Sequence, residues 1–141
     1  MKKRVFTFPL LWIALTTSAF SEETVSMKIK ITAGKTVLTA TMMDNATSRD
    51  FMSMLPLTLT LKDYAGTEKI SDLPRKLSTQ GAPSGSDPSA GDIALYAPWG
   101  NLAIFYKDFG YASGLIILGK IDSGVDKLCQ LNGEVTFRQI E

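Results

Sequence analysis

The feature that most constrains this chain is a two-residue hydrophobic period that returns in short bursts along most of its length. Leu57-Thr58-Leu59-Thr60-Leu61 is the cleanest case, and Val25 to Thr32 (Val-Ser-Met-Lys-Ile-Lys-Ile-Thr) is another. Successive side chains of a strand point to opposite faces, so this period describes strands with one buried face. Further strands are expected at Lys35–Met43, Asp92–Ala97, Leu102–Tyr106, Leu115–Ile121 and Glu134–Ile140, with a short edge strand at Lys69–Leu73 before Pro74. Ala33-Gly34, Asp63-Tyr64-Ala65-Gly66 and Pro98-Trp99-Gly100-Asn101 carry the residues that reverse a chain.

The period changes to a helical one twice. Thr47 is placed to cap a short helix, with Asp50 near its positive start, Phe51, Met54 and Leu55 on one face and Pro56 closing it. Ser123 and Asp126 repeat that arrangement, with Val125, Leu128 and Cys129 as the apolar face and Asn132-Gly133 as the end. Ser78 to Gly91 is dense in Ser, Gly, Pro and Ala and reads as a long loop, either a mobile lid or a surface connection. No βαβ alternation runs far enough for a doubly wound sheet. About eight antiparallel strands in one small domain must close or pair face to face, because open edges invite aggregation. The expected fold is mainly β: a closed barrel of about eight strands capped by two short α-helices, over residues 22–141.

The first 21 residues read differently. Lys2, Lys3 and Arg4 precede an uncharged apolar run from Val5 to Leu15, and Ala19-Phe20-Ser21 offers small residues before Glu22 and Glu23. That order is the one a cleavable export signal requires. The apolar run is about half the roughly 20 residues that span a bilayer, so no stable membrane anchor is expected after cleavage. A cut after Ser21 would deliver the chain to the periplasm or outside the cell. The leader holds three of the 15 basic residues and none of the 14 acidic ones, so the mature chain carries about −2. Without a clustered positive surface, nucleic acid is not an expected partner.

Cys129 is the only cysteine, so no internal disulfide can form. Histidine is absent, which removes the usual zinc ligand, the usual base near neutral pH and any Ser-His or Cys-His pair. Neither a cofactor nor a metal site is expected. The methionines between Met42 and Met54 fall on both strand and helix faces and are read as core filling.

Several motifs resemble a known family. Gly34-Lys35-Thr36-Val37-Leu38 followed by Thr47-Ser48-Arg49-Asp50-Phe51 is similar to the Gly-Arg strand and Thr-Ala-Glu-Asn-Phe helix of cyclophilins. Leu57–Leu61, Asp63–Lys69, Leu73-Pro74-Arg75-Lys76-Leu77 and Ala97-Pro98-Trp99-Gly100-Asn101 resemble the bacterial cyclophilin-like fold proteins, from about Met27 onward. Cyclophilins catalyse prolyl isomerisation through a Phe-His-Arg strand whose guanidinium is aimed at the imide nitrogen. The histidine-free chain lacks that triplet. The resemblance therefore implies the barrel and a groove, with a non-catalytic peptide- or small-molecule-binding module as the first reading. A divergent peptidyl-prolyl isomerase using Arg75 is the second.

Candidate groove residues are those with polar or amphipathic side chains at strand ends and turns: Tyr64, Glu68, Arg75, Trp99, Tyr106 and Asp108. The Trp99 ring either floors a pocket or plugs the barrel end, the plug being the commoner arrangement. Tyr106 to Tyr111 forms either a binding lip or, more commonly, a plain hairpin end. Glu68 and Asp108 are expected to be separate solvated carboxylates, and Cys129 a small buried hydrophobe.

Overall fold

The computed structural model describes residues 26–141 without interruption, and a few isolated positions before them. The leader as a segment and the expected cut after Ser21 lie outside the described run.

Ten strands appear in the described residues: β1 (Lys28–Ala33), β2 (Thr36–Met42), β3 (Leu57–Tyr64), β4 (Glu68–Asp72), β5 (Gly85–Ser86), β6 (Asp92–Tyr96), β7 (Asn101–Phe105), β8 (Ala112–Ser113), β9 (Leu115–Ser123) and β10 (Gly133–Gln139). Eight of them close into a barrel in the order β1-β10-β3-β4-β7-β6-β9-β2, and β5 and β8 form a separate two-stranded ribbon. All neighbours run antiparallel, and β1 pairs with both β10 and β2, which seals the ring. The expected short edge strand is therefore no edge: β4 pairs with β3 on one side and β7 on the other.

The alternation read from the sequence puts Ile29 and Ile31, Leu38 and Ala40, Leu59 and Leu61, and Val135 and Phe137 inside the barrel, each at most 6% exposed. The helix α1 (Ala46–Met52) brings Phe51 onto this core, edge to face with Phe137 at 6.0 Å between ring centres. Its cap is Asn45, not Thr47. The Asn45 side chain accepts from the Ser48 N–H at 2.8 Å, and Thr47 is buried within the first turn. With the start two residues earlier, Asp50 lies beyond the first turn and is free for another partner.

The second helical segment, Val125–Gln130, is a 3-10 helix following Gly124, with no side-chain cap. Its turn of three residues lines up positions three apart. Val125, Leu128 and Leu131 thus meet the core, while Cys129 is turned out to solvent instead of being buried. Met42 and Met52 are core residues and Met43 is half exposed, in keeping with the core-filling reading for the first two. Among the described residues no helix is long and apolar enough to cross a membrane.

One arc of the barrel departs from simple alternation. Every residue of β7 is buried, because its outer face is covered as well as its inner one. Ile70, Ala94, Ala103, Phe105 and Leu115 make a second apolar cluster on the outside of β4, β7, β6 and β9, with Tyr96, Ala112 and Ile117 packed on it. The ribbon lies beside this patch. Gly114 (φ +80) donates its N–H to Ser84 O at 2.8 Å, and Ser84 Oγ and the Tyr111 hydroxyl meet at 3.1 Å. The Ser78–Gly91 segment is thus tied to the barrel through β5, not merely looped over it.

Candidate functional site

The outer cluster is only partly roofed, and a cavity of about 200 Å³ opens over it. Its lining comes from five barrel strands and two connections: Tyr64, Glu68, Phe105, Tyr96 and Leu115 from β3, β4, β7, β6 and β9, Trp99 from the β6–β7 turn, and Phe109 and Ala112 from the β7–β9 connection. The pairing explains the convergence. Tyr64 stands opposite Glu68, Glu68 opposite Phe105, and Tyr96 opposite Leu115 in register, so all point outward together. Gly100 (φ +69) turns the chain directly after Trp99.

Trp99 is 62% exposed, so it is not the barrel-end plug that its position suggested. It stands edge to face with Tyr64 at 5.8 Å and with Tyr96 at 5.4 Å. In each perpendicular pair the edge of one ring meets one face of the other, and ring faces carry the negative lobe of the aromatic quadrupole. Phe109 and Tyr111 are also more than half exposed, and Phe109 alone of the Tyr106–Tyr111 segment lines the cavity.

Glu68 is the one charged side chain lining this cavity. Burial against the rings raises its pKa above the ordinary carboxylate value, since desolvation disfavours the charged form. No ion pair holds it among the described residues.

The other candidates go elsewhere. The Arg75 guanidinium is bound to Asp50 through Nη1 at 3.0 Å and Nη2 at 2.7 Å, and also donates to Ser53 Oγ at 3.1 Å. Ser78 N–H donates to the same carboxylate at 2.7 Å. The Arg75 hydrogen bonds, then that of Ser78, lower the Asp50 pKa to about 2. Arg75 also borders a separate, more open recess with Lys76, Pro98 and Trp99.

Tyr106 points into the end of the barrel, where its hydroxyl donates to Asp63. That bond pushes the Tyr106 pKa up to about 12 and lowers that of Asp63. The buried Lys69 completes this cluster, donating to Asn132 Oδ1 at 2.8 Å with its ammonium 5.6 Å from the Tyr106 ring centre. Asp108 accepts from the Ala90 N–H at 2.8 Å and pins the long loop; it does not line the cavity with Glu68. Of the six candidates, then, the fold gathers Tyr64, Glu68 and Trp99 and disperses Arg75, Tyr106 and Asp108.

Tyr96, Phe105, Ala112 and Leu115 belong to the same pocket and are not among the sequence candidates, while Phe109 falls in the Tyr106–Tyr111 segment for which a lip is one of the two readings. For Phe105 the sequence offers the unbroken apolar run Leu102–Phe105, which fits a strand covered on both faces and equally an ordinary core strand. Among the described residues, no group of three or more His, Cys, Asp or Glu side chains is arranged to hold a metal.

The fold defines the class: a sealed, eight-stranded antiparallel barrel, here with an aromatic-rimmed cavity on its outer wall. The family comparison is more specific: the model described as the cyclophilin-like family matches residues 31–139, and the chain belongs to that family. The solution structure of a hypothetical protein from Archaeoglobus fulgidus shares the fold, with a TM-score of 0.59 at 18% identity over 84% of this chain and 98% of that one. No curated protein matches the chain.

Proposed function

We propose that this chain is an exported cyclophilin-like domain that binds a small ligand or peptide side chain without catalysis, and that the outer aromatic pocket is its binding site. The observation that carries this reading is the convergence of Tyr64, Tyr96, Trp99 and Phe109 over Phe105 beside Glu68, a carboxylate with no ion-pair partner among the described residues. Exposed aromatic rings in such a cluster add little to stability and offer a binding surface. Export is supported by the charged, apolar and small-residue order of the leader. The periplasm or the extracellular space is the corresponding location.

The second reading is a divergent prolyl isomerase. Arg75 favours it, because it borders a recess beside Pro98 and Trp99. Against it stands the pairing of that guanidinium: catalysis requires a donor free to reach the imide nitrogen, and Asp50 already occupies both terminal nitrogens. A proline-peptide isomerisation assay decides between them. No turnover above the uncatalysed rate, with ligand binding sensitive to Trp99→Ala, is the expected result. Turnover that disappears in Arg75→Ala overturns the binding-module reading. N-terminal sequencing of protein recovered outside the cytoplasm tests the leader, with cleavage within a few residues of Ser21 expected.

A further inference from the structure

We infer that the outer pocket selects a compact organic cation, a methylated ammonium group, held on the faces of its aromatic rings with Glu68 as counter-charge. This rests on the proposed function, in that the pocket must be a binding site at all. The ring set comes first. Tyr64, Tyr96, Trp99 and Phe109 rim one small cavity with Phe105 at its base, and the Tyr–Trp pairs meet edge to face, not stacked. A cation over such rings is attracted by their negative faces, more strongly where water is displaced.

The carboxylate comes second. Glu68 is partly buried beside those rings, and no lysine or arginine lines the cavity or pairs with it among the described residues. A neutral ligand such as a proline ring would leave that charge desolvated and unpaired, and an anion would be repelled by it. A cation satisfies the carboxylate and the ring faces together. Size agrees as well. About 200 Å³ lies below the roughly 300–1,000 Å³ of sites that enclose a drug-sized molecule, so the pocket accepts a head group.

The test compares choline with its uncharged isostere 3,3-dimethylbutan-1-ol. The protein is the full chain carrying Trp12→Phe, so that Trp99 is the only indole, and binding is followed by Trp99 fluorescence and calorimetry. Choline is expected to bind about tenfold or more tightly than the alcohol. Glu68→Gln, which keeps the side-chain shape, is expected to remove most of that preference while retaining alcohol binding. Trp99→Ala is expected to abolish both responses in calorimetry, with an unchanged circular dichroism spectrum. Equal affinity for the two probes overturns the cation inference and leaves the pocket reading in place. No response to either probe overturns both. A choline preference that survives intact in Glu68→Gln overturns the role of the carboxylate.

Discussion

The two faces of the β4–β7–β6 arc make opposite use of the same residue types. Inward, Leu95, Leu102 and Ile104 join a core closed on every side, each at most 2% exposed. Outward, Ala94, Ala103 and Phe105 are just as buried, yet the rings around them are not: Tyr64, Trp99, Phe109 and Tyr111 are 43% to 62% exposed. Burial of apolar area stabilises a fold by about 25 cal/mol per Å², so the inner face carries the stability. The outer face keeps large rings in water, where that stabilisation is largely forgone. The contrast teaches that hydrophobicity alone does not locate a site in a barrel of this kind. What locates it is a buried floor under an unburied rim.

Phe137→Ala, on the inner face against Phe51, is expected to cost about 3–5 kcal/mol by leaving a cavity in the core. Trp99→Ala, on the outer rim, is expected to cost less than about 1.5 kcal/mol, the worth of an aromatic edge-to-face contact. Urea unfolding of both variants measures the difference, and equal losses would remove the distinction between floor and rim.

Next in size is Gly114→Ala. Gly114 sits at φ +80 with the place of a Cβ only 2.7 Å from Pro98 Cδ, so a methyl group must displace the turn that carries Trp99. A loss of about 1–2 kcal/mol is expected from the strained backbone, together with weaker ligand binding. Binding that stays at the wild-type level would show that the turn does not set the position of Trp99.

Asp50→Ala sharpens the same contrast from the paired side. It removes the partner of Arg75 and the acceptor for Ser78, with an expected cost of about 1–2 kcal/mol after solvent screening and no change in ligand affinity. The acid dependence follows from the lowered folded-state pKa. Asp50 falls from 3.8 to about 2 on folding, so its contribution is complete above about pH 4 and is lost as pH drops toward 2. In urea titrations, Asp50→Asn should be less stable than wild type at pH 7 and should lose less on acidification. A variant with unaltered acid sensitivity would show that this ion pair does not matter to stability.

Much of the barrel could be read from the chain because alternation is local. Leu57–Leu61 and Glu134–Ile140 announce a buried face without reference to anything distant, and both fall on barrel strands. The ring order was not readable, since β9 pairing with both β2 and β6 depends on contacts far apart in sequence. Helical details failed for a related reason. Thr47 and Asn45 are both competent caps, and Asn45, which caps the helix, also donates its Nδ2 to Ile117 O on β9 at 3.2 Å, a contact remote in sequence. Cys129 was misplaced because α-helical and 3-10 spacing differ by a fraction of a residue per turn. The site was half visible: Tyr64, Glu68 and Trp99 stood out by type and position. Phe105 and Leu115 did not, because a strand buried on both faces looks in sequence like ordinary core.

The measurement that bears most directly on the pocket as a ligand site is a map of backbone amide chemical shifts during titration with choline. Shifts are expected to concentrate at Tyr64, Glu68, Tyr96, Trp99 and Phe109, with the amides of Asp50, Arg75 and Ser78 unmoved. Shifts centred on Arg75 and its recess, with the aromatic rim silent, would contradict that placement of the site.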